Sequence, residues 1–104
     1  MSVNKVILLG NVGNDPKMHY PTKDNQIAFF SLATNERSAG VERTEWHNIV
    51  MTGKQAETAE KFIRKVTRLY LEGKIRTRTY TDKLGIQRNI TEIYVDNFEL
   101  LGRN

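Results

Sequence analysis

One stretch with helical spacing lies among segments patterned as strands, and its position limits the folds open to this chain. Apolar side chains recur there at the three- and four-residue intervals of one helix face, at Ala56, Ala59, Phe62, Ile63 and Val66. Thr52 and Gln55 precede them at the spacing of a capping box, in which two side chains satisfy the first backbone amides of a helix. We therefore expect one helix of about a dozen residues that starts beside Thr52.

Segments rich in Val, Ile, Leu and aromatic residues surround this helix and predict strands. We expect three main strands before it and two after it, with a bulge at Gly73. The segments expected to be extended are 3–9, a short 17–20, 27–35, 46–51, 68–75, a hairpin over 76–94 that turns near 82–85, and a core-closing 98–101. Turn residues fill 10–16 and 21–26, and 36–45 is predicted to be a polar loop.

Five main strands with a helix between the third and fourth are the pattern of the OB fold, a small Greek-key barrel. An α+β sandwich with the same order of elements is the alternative, and the twisted, glycine-marked strands favour the barrel. We expect an all-β chain with one helix, folded as a five-stranded OB-fold Greek-key barrel. We also expect an extended hairpin between its last two main strands. A length of 104 residues predicts one domain over 1–104.

The charge of the chain is unevenly distributed. Residues 61–88 carry nine Lys or Arg against two acidic residues, whereas the rest of the chain holds seven basic and ten acidic residues. A basic segment of this kind indicates a polyanionic partner, with a merely solvated surface as the alternative.

Aromatic and basic residues are interleaved in the predicted hairpin. Strand alternation places Arg76, Arg78 and Tyr80 on one face, where guanidinium groups would hold phosphates and the ring would offer a stacking surface for an unpaired base. The only tryptophan, Trp46, is surrounded in sequence by polar residues, which predicts a second such surface. The alternatives are core packing for Trp46 and cross-strand packing on threonine methyl groups for Tyr80.

Other chemistries find little support in the sequence. The chain has no cysteine, and its two histidines, His19 and His47, are far apart, so we expect no metal and no cofactor. Acidic residues are scattered, and no nucleophile stands beside a base, so we do not expect an enzyme. No apolar run is long enough for a bilayer, and the first residues lack a signal-peptide pattern, so we expect a cytoplasmic protein without membrane contact.

Several stretches resemble the DNA-binding domain of the bacterial single-stranded DNA-binding proteins, and the resemblance runs nearly end to end. They are VNKVILLGNVGNDP, AFFSLATNE, TEWHNIV, GK and LYLEGKIRTRTYTD. The resemblance implies an OB-fold homotetramer around which single-stranded DNA wraps with little sequence preference, in replication, recombination and repair. It implies a cytoplasmic, nucleoid-associated protein of a bacterium, a phage or a mobile element.

The resemblance also assigns residues. The positions implied to contact nucleic acid are Trp46, Tyr80, Lys54, Lys65, Arg76 and Arg78, to which we add Arg88 of the same hairpin. The positions implied to lie near subunit contacts are His47, Tyr70 and Lys74, to which we add Lys5.

Three features depart from the family pattern. Ser38 and Thr52 stand where stacking aromatics are usual, and Val66 replaces a usual turn glycine. The acidic-tipped tail that recruits replication and repair proteins is missing from this sequence, so such partners are uncertain. A dimeric, primosomal-type adaptor with weak DNA binding is therefore the alternative function.

Overall fold

The computed structural model describes residues 1–103, and most of them form long strands. The elements are β1 (Val6–Val12), β2 (Lys17–Thr22), β3 (Asn25–Ser38), β4 (Val41–Thr52), α1 (Lys54–Phe62), β5 (Thr67–Thr81) and β6 (Gln87–Arg103). The predicted domain ran to Asn104, which lies outside the described residues.

The sheet closes on itself. Its strand order is β1-β5-β6-β4-β3-β2, and β1 also pairs with β3, so five strands form a ring and β2 is added outside it. All neighbours are antiparallel except β4 and β6, which run parallel through Ile49 and Val50. The predicted OB-fold barrel, with its helix between β4 and β5, is confirmed.

Alternating apolar residues fill the barrel. Leu32, Ile49, Met51, Leu69 and Leu71 are fully buried, and the helix contributes its own buried face at one end of the ring. Each such side chain stabilises the fold by about 1.5–3 kcal/mol relative to its exposed state. The helix face that covers the barrel consists of Ala56, Ala59 and the following Ile63.

The helix differs from its prediction at both ends. Its N-cap is Gly53, at a φ of 61°, with no side-chain hydrogen bond, so the capping box is wrong. Gln55 instead donates from Nε2 to the Asp96 carbonyl at 2.8 Å. The helix ends after nine residues, because Ile63 is extended and Val66 adopts a φ of 68°.

Two residues expected on the apolar helix face do not lie there. Phe62 is 63% exposed and Val66, beyond the helix, is 44% exposed. Val66 occupies the left-handed region, which is unfavourable for a β-branched residue, so the backbone at this turn is strained.

The expected polar loop at 36–45 is wrong. β3 and β4 continue through it as a regular ladder from Asn35–Thr44 to Ser38–Val41. A two-residue turn joins them, with Ala39 at a φ of 51° and Gly40 at 77°. Positive φ at both turn residues matches the twist of a tight hairpin.

The later hairpin forms as predicted. β5 pairs with β6 without interruption from Lys74–Tyr94 to Thr81–Gln87, and the turn lies at 82–86. The predicted bulge is present, since the register shifts between Glu72 and Gly73. A Cβ on Gly73 would lie 2.2 Å from the Tyr94 carbonyl oxygen, so a side chain there would force the strands apart.

The first strand is displaced from its predicted bounds. It begins at Val6 and continues into the expected turn, because Asn11 and Val12 pair with Ala33 and Leu32 of β3. These two pairs close the ring. At the other end of the chain, Phe98 packs against the core, but Leu100 and Leu101 are 37% and 48% exposed.

Candidate nucleic-acid interface

An open groove runs over the outer faces of β3, β4 and the β5–β6 hairpin. Its walls include Phe29, Ser31, Asn48, Arg78 and Ile90. A second depression shares Asn48 and Ile90 with it and continues to Trp46. The groove therefore leads from Arg78 of the hairpin to the only tryptophan.

Trp46 is held as an exposed plate. Its side chain lies on the outer face of β4 and the residue is 59% exposed. The ring lies over Gly13, where an added Cβ would come within 2.4 Å of an indole carbon and 2.6 Å of the Ser31 hydroxyl. The core alternative for Trp46 is therefore wrong, and Gly13 is what allows the indole to lie against the barrel.

Tyr80 is also accessible, at 42% exposure on the outer face of β5. The Cζ atom of Arg78 lies 5.9 Å from the centre of its ring, within the range of a cation–π contact. The structure thus brings Arg78 and Tyr80 together, as the alternation of the strand predicted.

Arg78 is ion-paired as well. Its Nε and Nη2 donate to the two carboxylate oxygens of Glu92, at 2.8 and 3.2 Å. The Glu92 side chain is 3% exposed, whereas that of Arg78 is 47% exposed. The hydrogen bonds that it donates to Glu92 raise the pKa of the guanidinium further above its ordinary value.

The other two predicted arginines of the hairpin differ from each other. Arg76 places its Cζ 4.9 Å from the Tyr94 ring, and no carboxylate of the described residues lies within ion-pair distance of it. Arg88 donates to Asp82 at 2.9 Å. Together with the backbone amides of Ile86 and Leu84, it lowers the pKa of that carboxyl.

The two predicted lysines lie away from the groove walls. Lys54 is the first residue of α1, and Lys65 follows the helix, where its backbone amide donates to Asp15 at 2.8 Å. Asp15 adjoins Asn14, a groove residue, so Lys65 lies near one end of the groove. For Lys54 the structure shows no such neighbour among the described residues.

Three of the four residues predicted near subunit contacts lie around β1. Glu72 joins two of them, since it accepts from Lys5 at 2.9 Å and from the Tyr70 hydroxyl at 2.6 Å. These bonds lower the pKa of Glu72 and raise that of Tyr70. His47 contacts the Thr34 hydroxyl at 2.9 Å and shares a cavity with Ile7 and Leu9. Lys74 is separate, 3.8 Å from Asp96.

Sequence reasoning missed several residues of this region, among them Lys17, a basic residue of the groove wall. Phe29 lines the groove, Tyr94 lies beneath Arg76, and Glu92 anchors Arg78. Strand alternation places Phe29 and Ser31 on one face of β3, but apolar residues on both faces hide which one is outer, and no local pattern marks Glu92 as buried.

The described part of the chain shows neither a cluster of metal ligands nor a membrane-spanning helix. No three His, Asp or Glu side chains come together there as ligands would. Nor does any helix among residues 1–103 have the length and apolar character needed to cross a bilayer.

Comparison with known proteins places the chain in a family. The model of the single-strand binding protein family matches residues 3–101. The single-stranded DNA-binding protein of Bacteroides thetaiotaomicron is 53% identical over 108 residues, which cover 97% of this chain and 67% of that protein. That of Neisseria meningitidis serogroup A is 43% identical, with 98% and 62% covered, so the chain spans about two thirds of these relatives' length. The solved Plasmodium falciparum SSB complex with ssDNA superposes with a TM-score of 0.86 at 31% identity over 97% of both chains. The chain belongs to the single-strand binding protein family.

Proposed function

We propose that this protein binds and protects single-stranded DNA, largely without sequence preference and without catalysing a reaction, during replication, recombination and repair. The observation that carries the proposal is the pairing of two exposed aromatic plates with one groove. Trp46 and Tyr80 are 59% and 42% exposed. Trp46 and Arg78 line the two connected parts of the groove, and Tyr80 adjoins the groove beside Arg78. Membership of the family and the likeness to a complex with ssDNA support it.

The arrangement distinguishes single strands from duplexes by physical means. An unpaired base has a free face, and stacking on an aromatic side chain contributes about 1–3 kcal/mol per base. In a duplex those faces are covered by neighbouring base pairs. The excess of basic side chains on the hairpin attracts either form through phosphates, so selectivity comes from Trp46 and Tyr80 rather than from charge.

The single tryptophan provides the test. Oligo-dT added at low salt is expected to quench the fluorescence of Trp46, whereas a duplex of equal length quenches it weakly. The affinity falls with salt, with a slope of about −0.7 for each phosphate contact on a single strand. Absence of quenching at low salt would refute the proposal.

The proposal includes a homotetramer built through β1. β1 pairs with β5 along Val6 to Asn11, but within the described chain it meets β3 only at Asn11 and Val12. The first half of β1 therefore keeps one open edge, which is a template for pairing with another strand. Ile7 and Leu9 of the same segment are 59% and 46% exposed, which leaves apolar surface for a partner copy.

Light scattering tests this assembly. Chains of 12.0 kDa are expected to give the mass of four. A dimer that binds oligo-dT weakly would instead support the adaptor function, which the absence of aromatics at Ser38 and Thr52 favours. We propose a place in the bacterial cytoplasm at the nucleoid, with Lys5, His47, Tyr70 and Lys74 near the subunit contacts.

A further inference from the structure

The wall of the groove contains a buried carboxylate, although the ligand proposed for the groove is an anion. Glu92 is 2% exposed and belongs to the groove wall. Burying a charge is costly unless it is paired and hydrogen-bonded, and an unpaired carboxylate here would also repel phosphates. Both of its oxygens accept from Arg78, so the pair is satisfied and carries no net charge.

The choice of partner is informative. In the strand register, Glu92 lies directly opposite Arg76, while Arg78 lies opposite Ile90. Glu92 nevertheless binds the diagonal Arg78, and Arg76 turns to the Tyr94 ring at 4.9 Å. Two arginines on one face of the same strand are therefore in different electrostatic states.

The bidentate contact also fixes the orientation of Arg78. It occupies the edge of the guanidinium formed by Nε and Nη2, the edge that a phosphate would otherwise take bidentately. The plane of the group remains beside Tyr80, with Cζ at 5.9 Å from the ring centre. A planar guanidinium that is neutralised and held in this way still stacks on bases.

We propose that Glu92 is a positioning residue that converts Arg78 from a phosphate contact into part of the base-stacking surface formed with Tyr80. The inference rests on the proposed binding of single-stranded DNA. In this arrangement Arg76 supplies the phosphate contact of the hairpin, and Arg78 supplies a flat surface without net charge.

Salt dependence separates these roles. Binding of an oligo-dT of about 10 nucleotides, short enough for one OB domain, is measured over a range of salt. Glu92→Gln leaves Arg78 with an uncompensated charge, so the slope of log K against log salt is expected to steepen by about 0.7. The double variant Arg78→Gln with Glu92→Gln replaces one neutral pair by another and keeps the wild-type slope.

A second readout concerns the base itself. The affinity for oligo-dT is compared with that for an abasic strand of the same length. Glu92→Gln releases Arg78 from its place beside Tyr80, so the ratio of the two affinities falls by about fivefold, the lower end of the value of one stacked base. Glutamine nearly matches glutamate in shape, and thermal melting checks that the variant is folded.

The measured slopes and affinity ratios distinguish a positioning role of Glu92 from a purely structural one. A steeper slope for Glu92→Gln, together with an unchanged slope for the double variant, supports the inference. A double variant whose slope becomes shallower by about 0.7 shows that wild-type Arg78 already contacts a phosphate, and overturns it. Unchanged slopes and an unchanged ratio of the two affinities mean that Glu92 has only a structural role, which overturns the inference as well.

If Glu92→Gln does not fold, the slope of the double variant alone decides. Failure of the wild-type protein to bind oligo-dT refutes the proposed function instead.

Discussion

Two hairpin arms of similar geometry differ in chemistry. The β3–β4 arm, residues 35–45, carries two basic and three acidic residues, a net charge of −1. The β5–β6 arm, residues 74–94, carries five basic and two acidic residues, a net charge of +3. In the first arm each arginine lies opposite a glutamate, as Glu36–Arg43 and Arg37–Glu42. In the second, Arg76 lies opposite Glu92, but that carboxylate binds Arg78 instead, and Arg76, Arg78 and Tyr80 alternate along one strand face.

The difference shows that an exposed hairpin is not a binding site by virtue of its shape. Opposite charges facing each other across strands stabilise a ladder by about 0.2–1 kcal/mol per pair and leave little field for a polyanion. An excess of cations beside an aromatic ring instead favours binding, because the cations attract phosphates and the ring offers a stacking surface for a base. Matched changes in the two arms should therefore have different effects.

The largest effect is expected from the aromatic ring. Tyr80→Ala should weaken the binding of oligo-dT by about 1–3 kcal/mol, the value of one stacked base. Val41→Ala is the matched control, because Val41 is 54% exposed at the tip of the other arm. Titrations with oligo-dT, followed by Trp46 fluorescence, compare the affinities of the two variants. Equal losses of affinity would contradict the contrast between the arms.

Replacing glycine by alanine in one turn and alanine by glycine in the other should change the free energy of unfolding in opposite directions. Gly85 has a φ of 78° and open space around its Cα, so Gly85→Ala should lower the free energy of unfolding by about 1–2 kcal/mol. Ala39 has a φ of 51°, so Ala39→Gly should raise it by about 0.5–1 kcal/mol after the greater flexibility of unfolded glycine is subtracted. Urea unfolding measures both, and changes of the same sign would contradict the backbone argument.

Charge removal should matter in only one arm. Arg76→Gln is expected to make the salt slope shallower by about 0.7, so that the penalty of tenfold more salt shrinks by about fivefold. Arg43→Gln, which removes an arginine facing Glu36, should leave the slope unchanged. A similar loss for both variants would mean that DNA contacts the β3–β4 arm as well.

The smallest effect concerns acid. The pKa of Asp82 is lowered by Arg88 and by the amides of Ile86 and Leu84. Its stabilisation of the β5–β6 turn is therefore present above the ordinary aspartate pKa of about 3.9 and is lost as the pH falls through the lower folded value. Hydrogen exchange at the Leu84 and Ile86 amides should speed up there beyond its intrinsic pH dependence.

Asp82→Asn provides the control, since asparagine keeps an accepting oxygen but does not titrate in this range. The turn between Ser38 and Val41 contains no titratable side chain and should show no such additional dependence. Equal acid sensitivity of the two turns would exclude Asp82 as the cause.

The same contrast explains what the sequence could predict. The β5–β6 arm was predicted from alternating residues around a turn with Gly85. The β3–β4 arm was predicted to be a loop, because residues 35–45 are exposed on both faces and so show no alternation of apolar and polar residues. The barrel itself was accessible, since its strands bury one face and the helix position selects the topology.

The site was predicted in part for a related reason. Trp46, Arg78 and Tyr80 belong to types with a known use on DNA, and alternation placed two of them together. The diagonal bond from Arg78 to Glu92 depends on rotamers and strand register, which no local pattern encodes. The capping box failed for a similar reason, because Gly53 begins the helix through backbone geometry alone.

Photo-crosslinking tests the central claim most directly. Oligo-dT containing 5-iododeoxyuridine is bound at low salt, irradiated, and the modified residues are identified by mass spectrometry. We expect crosslinks at Trp46, which lines the groove, and at Tyr80, which adjoins it beside Arg78. Crosslinks confined to Tyr20 and Phe62, which are 50% and 63% exposed beside the helix, would contradict it.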